Sequence, residues 1–313
     1  MLQWLKKKNR LVFNSGTVQL QEDFHGTIHS TIEAIRYYAR RDQLIDHILH
    51  DTQSGITKDR YTDHDIVVSL TSYGTRIHEA PLAIESLMQQ TMRPNRIVLW
   101  LDNSFKEKRL PHALLMQQDR GLEISFCPDI RSYKKLIPQM RQTPLDAIIT
   151  ADDDILYDYD VLEHLILAYL NDPQKIHCCR AHRITLNSEG RILPYSRWET
   201  RVRETGTNKF LFLTSGGGVI FPPGSLDSTV FDEETFMAIC PDADDVWFTA
   251  MALKKNTPIS KVFTRNKNGE DYMENRLVSG ERLSHNNVTL QGNDRQIQAV
   301  FSKYSLYDML FCR

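Results

Sequence analysis

Three consecutive carboxylates, Asp152, Asp153 and Asp154, follow the apolar run "AIITA" in "IITADDDILYD". Two ionised carboxylates about 5 Å apart repel by roughly 3 kcal/mol at an effective dielectric near 20. Acids so placed either splay into water or converge on a cation. In extended or tightly turned backbone, residues i and i+2 point the same way, so Asp152 and Asp154 are expected to converge while Asp153 turns aside. Two convergent carboxylates suit Mg²⁺ or Mn²⁺ held jointly with phosphate oxygens. The competing use is helix capping, but Asp158 or Asp160 can fill that role for the next helix. A second acidic cluster lies in "CPDADDVWFTAMALKKN", where Asp242, Asp244 and Asp245 precede apolar residues at helical spacing (Val246, Ala250, Leu253). One of these acids can cap that helix; the others exceed what a cap needs.

The first cluster is positioned by an alternation of strands and helices that starts at Asp65. "DIVVSLTS", "RIVLWLD", "LEISFC" and "DAIITA" read as strands. "APLAIESLMQQ", with Pro81 near its start, and "LPHALLMQQDRG", closed by Gly121, read as helices between them. A helix over "DYDVLEHLILAYLNDP" follows the acids. This order predicts an α/β fold with a doubly wound, mostly parallel sheet, whose ligands bind beyond the carboxyl ends of the strands. The second half is less regular, with a strand in "KIHCCRAHRITL", the glycine run Gly216, Gly217 and Gly218 in "LTSGGGVIFPPGSL", and a short strand "ISKVF". The glycines permit close approach of a ligand or of another backbone. "GNDRQ" at 292–296 has turn chemistry and is expected to form a flap. Residues 1–60 read as a helical extension, with Ile28, Ile32, Ile35, Ala39, Ile45, Ile48 and Leu49 at helical spacing, a capping box of Ser30 and Glu33, and a polar linker "DTQSGITKDRYTDHD". The main domain is then 61–313, in halves of about 64–175 and 176–313.

"VVSLTSYGTR" at 67–76, "IVLWLD" ending in Asp102 and "TADDDIL" at 150–156 resemble the donor half of GT-A glycosyltransferases, in particular bacterial family-2-type enzymes that build capsules and lipopolysaccharides. The likeness covers roughly residues 64–300. It implies a Rossmann-like fold and transfer of a hexosyl or N-acetylhexosaminyl group from a UDP-sugar to a glycan or lipid-linked glycan, with inversion. It places Thr71, Ser72, Tyr73, Arg76 and Asp102 near the nucleoside. Asp153 and the glycines 216–218 fall near the donor and acceptor, and Asp152, Asp154 and His285 at Mn²⁺ or Mg²⁺. It gives Asp245 the role of base, with Asp244 orienting the acceptor or the base. "NSF" after Asp102 departs from the commonest family-2 pattern, which has a second acid and a serine. Lys134 and Lys135 in "DIRSYKKLIP" either approach the diphosphate or line a solvated helix face.

The whole chain bounds these readings. At 313 residues, 41% apolar and 25% charged, with a net charge of −2, it has the composition of an ordinary globular protein and lacks the positive field of a general nucleic-acid binder. No apolar stretch approaches the ~20 residues of a membrane span, and the N-terminus lacks the pattern of a signal peptide. Five cysteines without a CxxC pair point to a reducing cytoplasm. Lys6, Lys7, Lys8 and Arg10 beside Trp4 offer weak contact with the inner face of an anionic membrane. Two alternatives remain: a sugar nucleotidyltransferase, which should carry a glycine-rich basic loop where "TSYGTRIHEA" has one glycine, and a non-catalytic nucleotide-sugar or metal-binding module, which leaves Asp244 and Asp245 without a role.

Overall fold

A computed structural model describes residues 30–263, 272–274 and 292–311. The chain divides into two units, Met1–Asp46 and His47–Arg313. Helix α1 covers residues 30–50. Its buried positions, Tyr37, Arg40, Leu44 and Ile48, repeat at helical spacing, whereas Ile32, Ile35 and Leu49 are exposed. The buried stripe therefore runs through Tyr37, Arg40, Leu44 and Ile48, keeping Ile48 of the expected face while Ile32 and Ile35 lie off it. Residues 51–60, expected to be a linker of the extension, belong to the larger unit. The Gly55 and Thr57 amides donate to the Arg120 and Pro94 carbonyls at 2.9 Å, and Asn95 donates to the Asp59 carbonyl at 2.9 Å. The polar residues that suggested a linker satisfy local turn bonds instead, such as Gln53 N–H to Asp51.

The larger unit follows the predicted alternation. Strand β1 (Ile66–Thr71) leads to α2 (Ala80–Met88), β2 (Arg96–Asp102), α3 (His112–Gln118) and β3 (Leu122–Cys127). After α4 (Ile137–Gln142) come β4 (Ala147–Asp152), β5 (Ile155–Tyr157) and α5 (Val161–Asn171). The second half holds β6 (Ile176–Cys178), β7 (Ala181–Arg183), β8 (Gly206–Thr207), β9 (Leu211–Leu213) and β10 (Val219–Phe221). It continues through α6 (Glu233–Ile239), α7 (Asp244–Lys255), β11 (Ile259–Lys261), β12 (Tyr272–Glu274), α8 (Gly292–Lys303) and α9 (Leu306–Phe311). The single strand expected over "KIHCCRAHRITL" is thus two, β6 and β7, which join different sheets. The flap expected at 292–296 is the first turn of α8, with Asn293 and Gln296 buried.

The main sheet has eight strands in the order β3-β2-β1-β4-β10-β6-β11-β8. Strands β1 to β4 pair in parallel, as do β6 and β11, while β10 runs antiparallel between β4 and β6. Alternate residues feed opposite cores. Ile149 joins Val68, Leu70, Ile84, Leu87 and Leu165 beneath α2 and α5, whereas Ile148 joins Tyr133, Ile137, Trp247, Phe248 and Phe301 beneath α4, α7 and α8. Both faces are covered, which is why these strands read as continuous apolar runs.

This topology fixes one functional edge. Thr71 is level with Asp152 on one side and Trp100 on the other, so β1, β2 and β4 end together. Because β10 is reversed, its entry loop arrives there too, with Val219 opposite Thr150.

Candidate functional site

The three acids at the end of β4 are held differently from one another. Asp153 turns inward, its side chain 6% exposed, and accepts a 2.6 Å hydrogen bond from Ser72 Oγ. Arg76 donates to both Asp153 oxygens and reaches Asp154 Oδ2 at 3.0 Å. Asp152 faces away from that pair and accepts from Lys135 Nζ at 2.7 Å. The side chains of Asp152 and Asp154 remain 33% and 27% exposed. The expected alternation therefore appears in exposure but not in partners. Arg76 joins Asp153 to Asp154, because the turn into β5 brings both within reach of one guanidinium.

The second cluster meets the first through two residues. Lys135 Nζ, 2.7 Å from Asp152, is also 3.0 Å from Asp244 Oδ2. Ser215 Oγ lies 3.1 Å from Asp244 Oδ2 and 2.5 Å from Asp245 Oδ1, and Ser215 N–H donates to Asp245 Oδ1 at 2.7 Å. The Ser215 carbonyl accepts from Thr150 on β4 at 3.1 Å. Glycine is required next to it: a Cβ at Gly216 would stand 1.9 Å from Asp152 Oδ2, and Gly218 has φ +97°. The Tyr157 hydroxyl donates to the Gly216 carbonyl at 2.7 Å and accepts from Asp152 N–H at 2.8 Å, tying the loop to the acids. Asp244 and Asp245 start α7, where the helix dipole favours carboxylates, although neither caps it by a side-chain bond.

Burial and neighbouring charge set the protonation of these groups. Asp152 loses solvation, but Lys135, with Arg76 and Arg180, holds it below the usual carboxylate range. Asp153 is pushed up to about 6 by burial, against the pull of Arg76 and the Ser72 hydrogen bond. Asp245 is likewise pushed up to about 6, by burial and then by the adjacent Asp244, with Lys135 and Ser215 drawing it back. Burial would discharge Lys135, yet Asp152, Asp244 and Asp245 keep it firmly protonated.

The structure gathers these residues into two contact sets that meet at the Asp152–Asp153 peptide: Ser72, Arg76, Asp153 and Asp154, and Lys135, Asp152, Gly216, Asp244 and Asp245. Thr71 and Tyr73 lie beside it. Thr71 donates to the Trp100 carbonyl at 2.8 Å, and exposed Tyr73 sits with its ring 5.1 Å from the Arg76 guanidinium carbon. Asp102 ends β2 and caps the following turn through Ser104 N–H at 2.9 Å. Lys134 points elsewhere, paired with Asp129. Gly217 abuts Arg180, whose Nε donates to Thr214 at 2.6 Å. His285 lies outside the described residues. Ser215, Tyr157 and Arg180 escaped the sequence reading. Ser215 adjoins the glycine run and could have been found from it, but nothing in the local pattern marks Tyr157 or Arg180.

The acids can be tested for their suitability to a divalent cation. Five carboxylates (Asp152, Asp153, Asp154, Asp244, Asp245) gather with three cations (Arg76, Lys135, Arg180), which leaves an excess of negative charge. Asp152 and Asp154 also keep access to solvent. Among the described residues the group of three whose ligand atoms lie close together is His47, Asp51 and Glu85, not these acids, so at the strand end Mg²⁺ or Mn²⁺ would need phosphate oxygens beside the carboxylates.

No family model and no curated protein matches the chain. Among solved structures, it is similar to S. aureus TarS 1–349 in complex with UDP, at 13% identity and a TM-score of 0.42. The alignment covers 66% of this chain and 59% of that chain, so this chain spans under two thirds of its length.

Proposed function

We propose that this chain is a metal-dependent GT-A glycosyltransferase that moves a sugar from a UDP-sugar to a hydroxyl of a glycan or lipid-linked glycan, with inversion. One observation carries the proposal. Two acidic clusters, from the end of β4 and the start of α7, meet at the carboxyl edge of a parallel sheet through Lys135 and Ser215. Such edges bind nucleotide ligands.

In this reading Thr71, Ser72, Tyr73 and Asp102 line the place of the nucleoside, and Arg76 holds Asp153 and Asp154 in register. Asp154, with Asp152, would hold Mn²⁺ or Mg²⁺. When bound, that ion supplies charge stabilisation to the departing diphosphate. Asp245 accepts the proton of the acceptor hydroxyl as the oxygen forms its bond to the anomeric carbon. The bond from that carbon to the diphosphate oxygen breaks, and its electron pair leaves with UDP. A base near 6 is mostly ionised at pH 7 and still takes up a proton readily. Ser215 fixes the carboxylate through two donors on one oxygen, which leaves its other oxygen to meet the hydroxyl. Gly216 and Gly217 keep the loop close to Asp152 and Arg180. Among the described residues no helix is long and apolar enough to cross a membrane. We place the reaction in the cytoplasm, at the membrane face where lipid-linked acceptors are presented.

The test is release of UDP from a panel of nucleotide sugars, with product anomers read by NMR and UDP affinity measured by calorimetry in Mn²⁺ and in EDTA. Transfer with an inverted anomeric centre and Mn²⁺-dependent affinity are expected. Equal affinity in both buffers would remove the metal role, a retained anomer would remove Asp245 as base, and release of pyrophosphate would make the chain a nucleotidyltransferase.

A further inference from the structure

Lys135 lies on the short 3-10 turn Arg131–Lys135, outside both acidic clusters in sequence, yet its ammonium joins them. Its side chain is 4% exposed, with Nζ 2.7 Å from Asp152 and 3.0 Å from Asp244. The contacts close into a ring. From Asp152 the path runs through Lys135 to Asp244, along the chain to Asp245, through Ser215 to Gly216, and back to Asp152 by the Tyr157 hydroxyl. Five separate segments meet in it: the end of β4, β5, the 3-10 turn, the loop entering β10 and the first turn of α7. Other bonds join these segments as well: Thr150 to the Ser215 carbonyl, and, from the turn that carries Lys135, the Tyr133 hydroxyl to the Cys240 carbonyl. Between Asp152 and Asp244, however, Lys135 is the shared partner.

A lysine that grips a diphosphate must present its ammonium to the cleft. Here, to do so, Lys135 would have to leave Asp152 and the mostly buried Asp244, and stranding a buried charge without its partner is strongly unfavourable. We propose that Lys135 is a positioning residue for glycosyl transfer: by holding Asp152 and Asp244 together, it sets the separation between the strand-end acids and the helix that carries Asp245. The inference deepens the transferase reading and rests on it for the identity of the reaction. It stands as an alternative to a diphosphate contact by Lys135. A compact ammonium suits the position, because it accepts two carboxylates at a short, fixed spacing without the planar fork of arginine.

The split between turnover and affinity tests this on the full chain. Misplacing a reacting group by about 1 Å costs roughly 100-fold in rate. Lys135→Met is therefore expected to lower kcat about 10- to 100-fold, while the UDP dissociation constant moves less than about threefold. Its Tm should fall by roughly 5–10 °C. Combined with Asp244→Asn, that loss should be smaller than the sum of the single losses, because the carboxylate left unpaired is now neutral. Lys135→Arg should retain more turnover than Lys135→Met. If Lys135→Met fails to fold, the same comparison of kcat with UDP affinity is read on Lys135→Arg and on Lys135→Met/Asp244→Asn. Weakening of UDP binding tenfold or more at unchanged kcat would overturn the proposal and return Lys135 to the diphosphate. Strictly additive Tm losses would also overturn it. If the wild-type chain releases UDP from no nucleotide sugar, the transferase reading fails, and the Tm cycle still decides whether Lys135 couples the two acids.

Discussion

The acids at the end of β4 and those at the start of α7 are both clusters of adjacent aspartates, but they are neutralised differently. The first meets a guanidinium and an ammonium: Arg76 serves Asp153 and Asp154, and Lys135 serves Asp152. The second shares that one ammonium, and Asp245 is bound by the hydroxyl and amide of Ser215, which are neutral. Asp152 is accordingly held low, while Asp245, in a similar recess, is pushed up to about 6. Identical side chains thus divide into a set suited to staying charged and a residue suited to taking a proton. The partners decide which is which.

The largest effect should come from the residue on the proton-accepting side. Asp245→Asn keeps both Ser215 contacts in place but cannot accept the proton, and is expected to lower turnover by ~10²–10⁴-fold with UDP affinity preserved. Steady-state transfer assays beside calorimetry check this, and near-normal turnover would end the division of labour. On the charge-holding side the loss should fall on stability. Arg76→Met leaves Asp153 enclosed without its cation, and urea unfolding should show a loss of about 3–5 kcal/mol.

A smaller effect concerns pH. Since the Asp245 carboxyl is pushed from near 4 to about 6, the folded state keeps its proton longer than the unfolded state between those values. Stability should therefore decline as pH rises from about 4 to 6 and level off above. Asp153, also pushed up to about 6, adds a decline of its own over this range, so Asp245→Asn should remove only part of the slope and be more stable than wild type at pH 7, by about 1–3 kcal/mol. Denaturant midpoints across this range give the comparison, and an unchanged slope in the variant would place the titration elsewhere. Smallest of all should be Arg131→Ala. Its pair with Asp242, half-exposed, links the 3-10 turn to the approach of α7 from outside. Surface pairs of this kind contribute about 0–1 kcal/mol, so a Tm loss above a few degrees would mean that the outer contact matters as much as Lys135.

Much of the first half was legible because both its periodicity and its punctuation are local. Buried strands read as apolar runs, Pro81 and Gly121 mark helix ends, and the acids stand where β4 stops. The second half resists such reading because its strands are three residues long and pair across distant segments, as β10 does with β4 and β6. A three-residue strand carries too little alternation to declare itself. At the site, residue types were readable but partners were not. Arg76 and Asp102 lie at neighbouring strand ends, yet Arg76 turns to Asp153 and Asp154 while Asp102 caps its own turn. Nothing in "ILYD" marks Tyr157, yet its hydroxyl joins two loops. Such choices depend on reach and angle, which spacing does not record.

The reversed strand β10 also orders events in time. As the chain leaves the ribosome, β1 to β4 and β6 precede it, so these strands must wait with a gap between β4 and β6 until residues 219–221 arrive to fill it. Pairings between segments so far apart in sequence form slowly, because a long loop must close before any contact rewards it. The glycine loop enters with that strand, and α7 emerges later still. Assembly of the two acidic clusters into one site is thus a late step of folding, and a half-made chain displays open strand edges before it possesses any chemistry.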